Sequence, residues 1–204
     1  MEMLKGELNK EVHDILYGFS DWFFSHDRDI YNLKGEPDKN EYYTSKEYLA
    51  EVNNDDHEGF PEEAHGIDLT TLYDIPDDHR NKLRELDTTL NTLFASKFNA
   101  VKMYYPENGF MGWHNNWNCP GYNILLSYTK KGNGFFRYQN PETKEIVTID
   151  DIPGWSVKAG YYGEKSEPDK IYWHCARAYE ERLTLGYVIP DEYFWQMTLE
   201  DIIS

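Results

Sequence analysis

A change of period at Phe98 constrains this chain more than any other feature. Before it, apolar residues recur at threes and fours; from Val101 to Pro190 they alternate or run in short extended pieces. Eight strand-like pieces follow one another: Val101–Tyr105, Gly112–Asn116, Asn123–Tyr128, Gly134–Tyr138, Ile146–Ile149, Ser156–Ala159, Ile171–Cys175 and Arg182–Ile189. Turn-forming clusters separate them, among them Asn118–Gly121, Lys131–Gly134, Asn140-Pro141 and Ile152-Pro153-Gly154. That many short strands in roughly ninety residues predicts a double-sheet jelly roll or a small barrel.

Two amphipathic helices precede the strands. Leu8, Val12, Ile15, Leu16, Phe19, Trp22 and Phe23 make one stripe, predicting a helix over Leu4–Phe24. Leu83, Leu86, Leu90, Leu93, Phe94 and Phe98 make a second over about Asp78–Phe98, with Asp77 or Asp78 placed to cap it. Each stripe needs a partner surface, and an outer face of one sheet provides it. The intervening Ser25–Asp78 is polar and punctuated, and reads as a lid with a short helix over Ser45–Val52 capped by Thr44 or Ser45. The expected organisation is a helical and loop extension over 1–98, a β core over 99–190 and a tail over 191–204, forming one globular unit.

The net charge of −17 argues against nucleic acid, but its distribution weakens the argument. Residues 1–98 carry 23 acids and 10 Lys/Arg, residues 99–190 carry 10 of each, and the tail adds four acids. Nucleic acid is therefore disfavoured and not excluded. No apolar run resembles a signal peptide or reaches the roughly 20 residues of a membrane span. Cys119 and Cys175 lack zinc or redox spacing, so two reduced thiols in a cytoplasmic protein are expected.

The chemistry-bearing residues lie in the extended half. In a strand, residues i and i+2 share a face, so a strand ending His114-Asn115-Asn116 would project His114 and Asn116 together. His174 follows sixty residues on, in Tyr-Trp-His-Cys, and Arg182 eight residues later. Two imidazoles and one oxygen donor on a rigid β scaffold can occupy one face of a metal and leave positions open for substrate and dioxygen, as in non-haem iron(II) enzymes. Alone, each histidine also reads as a packed strand residue, Arg182 as a strand-end partner of Glu180 or Glu181, and Tyr105 and Thr184 as ordinary strand formers. Trp113, Trp117, Trp155 and Trp173 read as packing, with a substrate pocket or base stacking as the rival. His57, Glu58 and His65 read as solvated loop.

Tyr105, the His114-x-Asn116 triplet, His174 and the Arg182-Leu-Thr184 run, in that order, resemble the 2-oxoglutarate/iron(II)-dependent oxygenases over roughly Val101–Ile189, close to the prolyl-hydroxylase-like, AlkB-like and phage branches. The resemblance implies a mainly β fold with N-terminal helices, its core a double-stranded β-helix (jelly roll) of about eight strands. It implies Fe(II) held by His114, Asn116 and His174, and 2-oxoglutarate held by Arg182 with hydroxyls from Thr184 and Tyr105. Turnover would consume O2, release succinate and CO2, and hydroxylate a prime substrate: a protein side chain, a nucleobase or a small metabolite.

The family's triplet is His-x-Asp or His-x-Glu, and this chain carries Asn116 instead. A neutral oxygen donor leaves less negative charge against Fe(II), so metal affinity should fall. Asn116 ligates the metal, or leaves that position to water or halide, or marks a jelly roll that binds without turnover. Glu107, in the preceding turn, is a candidate substitute carboxylate.

Overall fold

The computed structural model describes residues 1–31, 33, 39–55, 57–72, 74–116, 120–164 and 166–203. In chain order its elements are β1 (Glu2–Met3), α1 (Lys10–Ser25), α2 (Asn40–Tyr43), α3 (Lys46–Asn54), β2 (Ala64–His65), β3 (Ile67–Asp68) and α4 (Asp77–Leu93). Then come β4 (Phe98–Tyr105), β5 (Phe110–His114), β6 (Gly121–Thr129), β7 (Gly134–Gln139), β8 (Ile146–Asp150), β9 (Gly154–Tyr162), β10 (His174–Ala178) and β11 (Arg182–Ile189). Helix α5 (Glu192–Ile202) follows.

The strands form two antiparallel sheets, ordered β1-β9-β6-β11-β4-β3 and β2-β5-β10-β7-β8. The chain alternates between them from β4 to β7 and again from β8 to β11. The sheets face each other: Leu125 and Tyr162 of the larger pack with Phe136 of the smaller, and Met103 and Tyr105 pack with Ala178. Period-two alternation gives β11 two unlike faces. Arg182, Thr184 and Gly186 line the space between the sheets, whereas Leu183, Leu185, Tyr187 and Ile189 join the outer core.

That outer core is where the helical stripes go. Val12, Leu16, Phe19 and Phe23 of α1, Leu83, Leu86 and Leu90 of α4, and Ile202 of α5 cover the larger sheet. Each such side chain contributes about 1.5–3 kcal/mol on burial. Asn9 caps α1 by accepting from Val12 N at 2.8 Å, and Asp191 caps α5 by accepting from Phe194 N at 3.0 Å.

Several boundaries differ from expectation, each for a local reason. Helix α1 starts at Lys10 because residues 2–8 are spent on pairing, with Leu4 N donating to Val157 O and Leu8 bridging Ile203. Helix α4 stops at Leu93 because Ala95 turns left-handed at φ 48° and Lys97 already donates to Val188 O. Pro76 stands at its N-cap without a side-chain bond, while Asp77 and Asp78 fill the first turn, where the helix dipole favours them. Strand β10 runs His174–Ala178 rather than Ile171–Cys175, and the tail forms α5. The described residues of 25–78, expected as a lid, carry α2, α3, β2 and β3. Ser45 caps α3 as expected, and Tyr48, Leu49 and Val52 pack with Trp113, Phe135 and Cys175 on the outside of the smaller sheet. β2 and β3 extend one sheet each. No helix is long and apolar enough to cross a membrane, among the described residues.

Candidate metal and anion site

A β-bulge places the first histidine. On β10, His174 and Ala176 are two apart, yet their partners on β5, His114 and Met111, are three apart. The extra residue lets Met111 and His114 both face inward while Trp113 faces α3. Gly112 sits in the bulge, where a Cβ would meet Glu63 O at 2.8 Å. His114 is thus directly across from His174, with ring centroids 4.1 Å apart.

Both imidazoles are held the same way. His114 Nδ1 lies 2.9 Å from Gly112 O, and His174 Nδ1 lies 3.0 Å from Tyr172 O, each carbonyl two residues upstream. A carbonyl only accepts, so each Nδ1 carries the proton and each neutral ring has its lone pair on Nε2; the His174 backbone also lies beside the His114 ring. Burial keeps the rings neutral. It pushes His174 down to about 4 and His114 well below the usual range, the nearby His174 adding to the second effect. Tyr162 stacks on His174 at 5.1 Å, and a backbone-tied, aromatic-walled pair of neutral imidazoles suits a divalent metal.

Asn116 departs from the strand argument. β5 ends at His114, so Asn115 and Asn116 lie beyond it. Asn115 is buried and ties down the neighbouring loop, donating to His57 O at 3.1 Å and accepting from Gly59 N. Asn116 borders two neighbouring pockets. One, of about 30 Å³, is lined by Tyr105, Asn123, Tyr162, His174, Arg182 and Thr184 among others. The second, of about 90 Å³, is walled by Phe60, Pro61, Met103, Met111 and His114 among others. The structure thus brings five of the six expected residues to one cavity and His114 to its neighbour. Among the described residues, no three His, Cys, Asp or Glu side chains gather in a metal-holding group.

Arg182 has a partner that sequence reading missed. Its guanidinium is fully enclosed and pairs with Asp151, Nε to Oδ2 at 2.8 Å and Nη2 to Oδ1 at 3.3 Å. Nη2 also donates to Ser127 Oγ at 3.1 Å, and Nη1 to Thr184 Oγ1 at 2.7 Å. Among the described residues this engages four of its five N–H groups, leaving one on Nη1 beside the Thr184 hydroxyl proton. Glu180 and Glu181 are engaged elsewhere: Glu180 accepts from Lys131 N and Asn133 N, and Glu181 from Arg28 and Tyr104. Lys158, with no exposed surface, lies 3.3 Å from Asp151 Oδ1 and 3.2 Å from Ser156 Oγ.

Burial alone would raise the Asp151 carboxyl, but Arg182 and Lys158 hold it below the usual range. Burial lowers Lys158 from 10.5 to about 8, against the pull of Asp151. The Tyr105 hydroxyl is pushed up to about 12 by burial and lies 3.8 Å from the Met111 sulfur, so it stays protonated as a donor.

For a carboxylate ligand the donor chemistry fits: one Arg182 N–H, the Thr184 and Tyr105 hydroxyls, and an enclosed group with two cations against one anion. The space is small, since about 30 Å³ holds only a few waters. A larger acid needs the wall shared with the second cavity (Val101, Met111 and Asn116) to give way, and Met111 is an adaptable side chain for that.

The remaining expectations sort as follows. Trp113 and Trp155 are buried core, Trp173 packs on the smaller cluster, and Trp117 lies outside the described residues, as does Cys119. Cys175 is a buried free thiol. His57 and His65 are not solvated loop: His65 is buried in β2, and the His57 ring lies 6.3 Å from Trp173. Of the residues sequence reading missed, only Lys158 left a signal, as a charge inside the run Trp155-Ser156-Val157-Lys158-Ala159.

No family model matches the chain, and no curated protein does. Among solved structures the chain is similar to a Pseudomonas putida prolyl-4-hydroxylase, at 15% identity over 70% of this chain and 82% of that one, with a TM-score of 0.35. A likeness that distant carries no argument about function.

Proposed function

We propose that this chain is a non-haem iron(II), 2-oxoglutarate-dependent oxygenase on a double-stranded β-helix, hydroxylating a protein side chain, nucleobase or small metabolite. In this reading residues 99–190 are the core, and 1–98 and 191–204 wrap it as one unit. The strand orders β9-β6-β11-β4 and β5-β10-β7-β8, with the chain crossing between sheets, support the jelly roll. One observation carries the function: two neutral imidazoles facing each other across β5 and β10, both with Nδ1 tied to backbone, on the same cavity system as Arg182 and Thr184.

His114 and His174 would hold the metal through Nε2, with the Asn116 side-chain oxygen as a neutral third donor. Arg182, through its remaining Nη1 hydrogen, and the Thr184 and Tyr105 hydroxyls would receive the distal carboxylate. Bound iron(II) with 2-oxoglutarate and O2 supplies oxidative decarboxylation to succinate and CO2, coupled to hydroxylation of a C–H bond. The aromatic and thioether walls Tyr162, Phe136 and Met111 keep bulk water from the centre. Buried, unpaired Cys175 supports a cytoplasmic setting.

Anaerobic titration with Fe(II) and then 2-oxoglutarate tests the reading. The expected result is a weak visible charge-transfer band and a raised melting temperature, both lost in His174→Ala. Absence of both in wild type refutes it. A second reading, a binding module without turnover, is favoured by the neutral Asn116 at the carboxylate position. It predicts succinate formation in Asn116→Asp and none in wild type.

A further inference from the structure

Arg182 poses an electrostatic problem that the proposed function alone does not resolve. Asp151 grips its Nε/Nη2 edge and Ser127 its Nη2, which fixes the plane of the guanidinium. The same carboxylate cancels the positive charge an anionic ligand would be drawn to. Asp151 and Arg182 are each 1% exposed, so the cancellation occurs where water screens little. Lys158 lies on the other side of Asp151, at 0% exposure, and contacts the same Oδ1 that Arg182 Nη2 reaches.

Resting on the 2-oxo-acid reading above, we propose that Lys158 is a positioning residue that restores to the site the positive charge Asp151 removes. Asp151 can then orient Arg182 while the enclosed group keeps one net positive charge for a ligand carboxylate. Two cations around one carboxylate leave a net charge of plus one; Asp151 with Arg182 alone leaves none. Lys158 itself does not line the cavity, so it acts on a ligand through the field and not by contact. A lysine fully enclosed in β9 is costly to desolvate, and its burial lowers its pKa. Asp151 has a paired partner in Arg182 without it.

The charge of Lys158 is also the titratable one. Lys158, lowered to about 8, loses its proton within the working range. The groups facing Lys158 are Asp151 from the β8–β9 connection and Arg182 from β11. The Met1 amino group, beside Gly160 on the flanking β1 side, is a further titratable group there, lowered from its usual value by its own burial. An arginine at 158 separates the last contribution, since it keeps the charge while Met1 still titrates.

The test measures binding to the Co(II)-loaded full chain by calorimetry, comparing 2-oxoglutarate with 2-oxoglutaramate, whose distal carboxylate is a neutral amide. Wild type at pH 7 should prefer 2-oxoglutarate. Lys158→Met should weaken 2-oxoglutarate about tenfold or more and leave the amide within about twofold; a merely structural role would weaken both together. The wild-type preference should fall between pH 7 and pH 9, and Lys158→Arg should abolish that fall. This pH comparison stands even if Lys158→Met fails to fold. An equal preference in wild type and Lys158→Met, or a fall that persists in Lys158→Arg, overturns the proposal and leaves the oxygenase reading intact. If the Co(II)-loaded wild type binds neither compound, the 2-oxo-acid reading fails and this proposal fails with it.

Discussion

Replacing Asp151 by Asn removes the one anion of a fully enclosed charge group and changes its shape hardly at all. The gross attraction lost is large: a unit pair at 2.8 Å is worth about 6 kcal/mol at an effective dielectric of about 20. Much of that is offset in wild type by the desolvation of both partners. Two responses limit the cost further. Lys158, already lowered to about 8, releases its proton once the carboxylate that supports it is gone. The new amide oxygen can still accept one hydrogen bond from Arg182. Arg182 is left as a buried cation with two hydroxyls and an amide. The expected net loss is about 3–5 kcal/mol, the range for breaking a buried pair by removing one partner. For a chain of this size that corresponds to a melting temperature lower by roughly 6–20 °C.

Urea unfolding followed by circular dichroism at pH 7 measures the loss directly, as a lower midpoint with an unchanged slope. The difference should shrink in acid. The folded-state pKa of Asp151 lies below the unfolded value of 3.8, so its contribution is complete above that value and is lost as pH falls through the folded one. A loss under about 1 kcal/mol at pH 7, or a gap that does not narrow in acid, would refute the ion-pair geometry.

Three further outcomes follow from the same cluster and its neighbours. Gly134→Ala would put a methyl 2.6 Å from Asp151 Oδ2 and 2.8 Å from Arg177 O, costing about 1–3 kcal/mol; its urea midpoint combined with Asp151→Asn should be non-additive. Between pH 8 and 10.5 folded Lys158 binds fewer protons than the unfolded chain, so wild type should gain of order 3 kcal/mol over that window, and Lys158→Met should not, as read by denaturant midpoints against pH. Asn116→Asp adds a charged donor beside the histidines and should tighten Co(II) binding roughly tenfold or more; calorimetry showing no gain would mean that position 116 does not reach the metal.

How much of this was legible in the sequence depends on the range of the interaction. The eight core strands could be read because alternation is local, and Arg182–Ile189 was placed to the residue. Helix α5 is not legible in the sequence, where 191–204 reads only as a tail; its apolar residues find partners only in the assembled sheet. The bulge at Gly112–Trp113 was equally hidden, since the strand pattern carries no mark of a one-residue excess set by β10. Reading β5 as unbroken to Asn116 gave the right neighbourhood for the wrong reason. His114 faces inward because of the bulge, and Asn116 reaches the cavities from beyond the strand end.

Charge shows the same limit in its strongest form. The chain carries −17 overall, which predicts repulsion of anions, yet the space between its sheets encloses two cations and one anion. These statements do not conflict. Surface acids are separated from the interior by packed sheet and screened by salt over about 10 Å, while groups within hydrogen-bonding distance and out of water set the local potential. Position 116 carries a neutral amide, and a carboxylate enclosed at 151 serves Arg182. The sequence hides the second fact, because Asp151 sits in an acidic turn, Asp150-Asp151-Ile152-Pro153, indistinguishable from solvated loop. Folding distinguishes the two neighbours: Asp150 ends β8 exposed, and Asp151, one residue on, turns inward, its N–H donating to Gly134 O at 3.0 Å. The net charge of the enclosed group is therefore set by which of two adjacent aspartates the backbone turns inward, a property of the register between β7 and β8 rather than of composition.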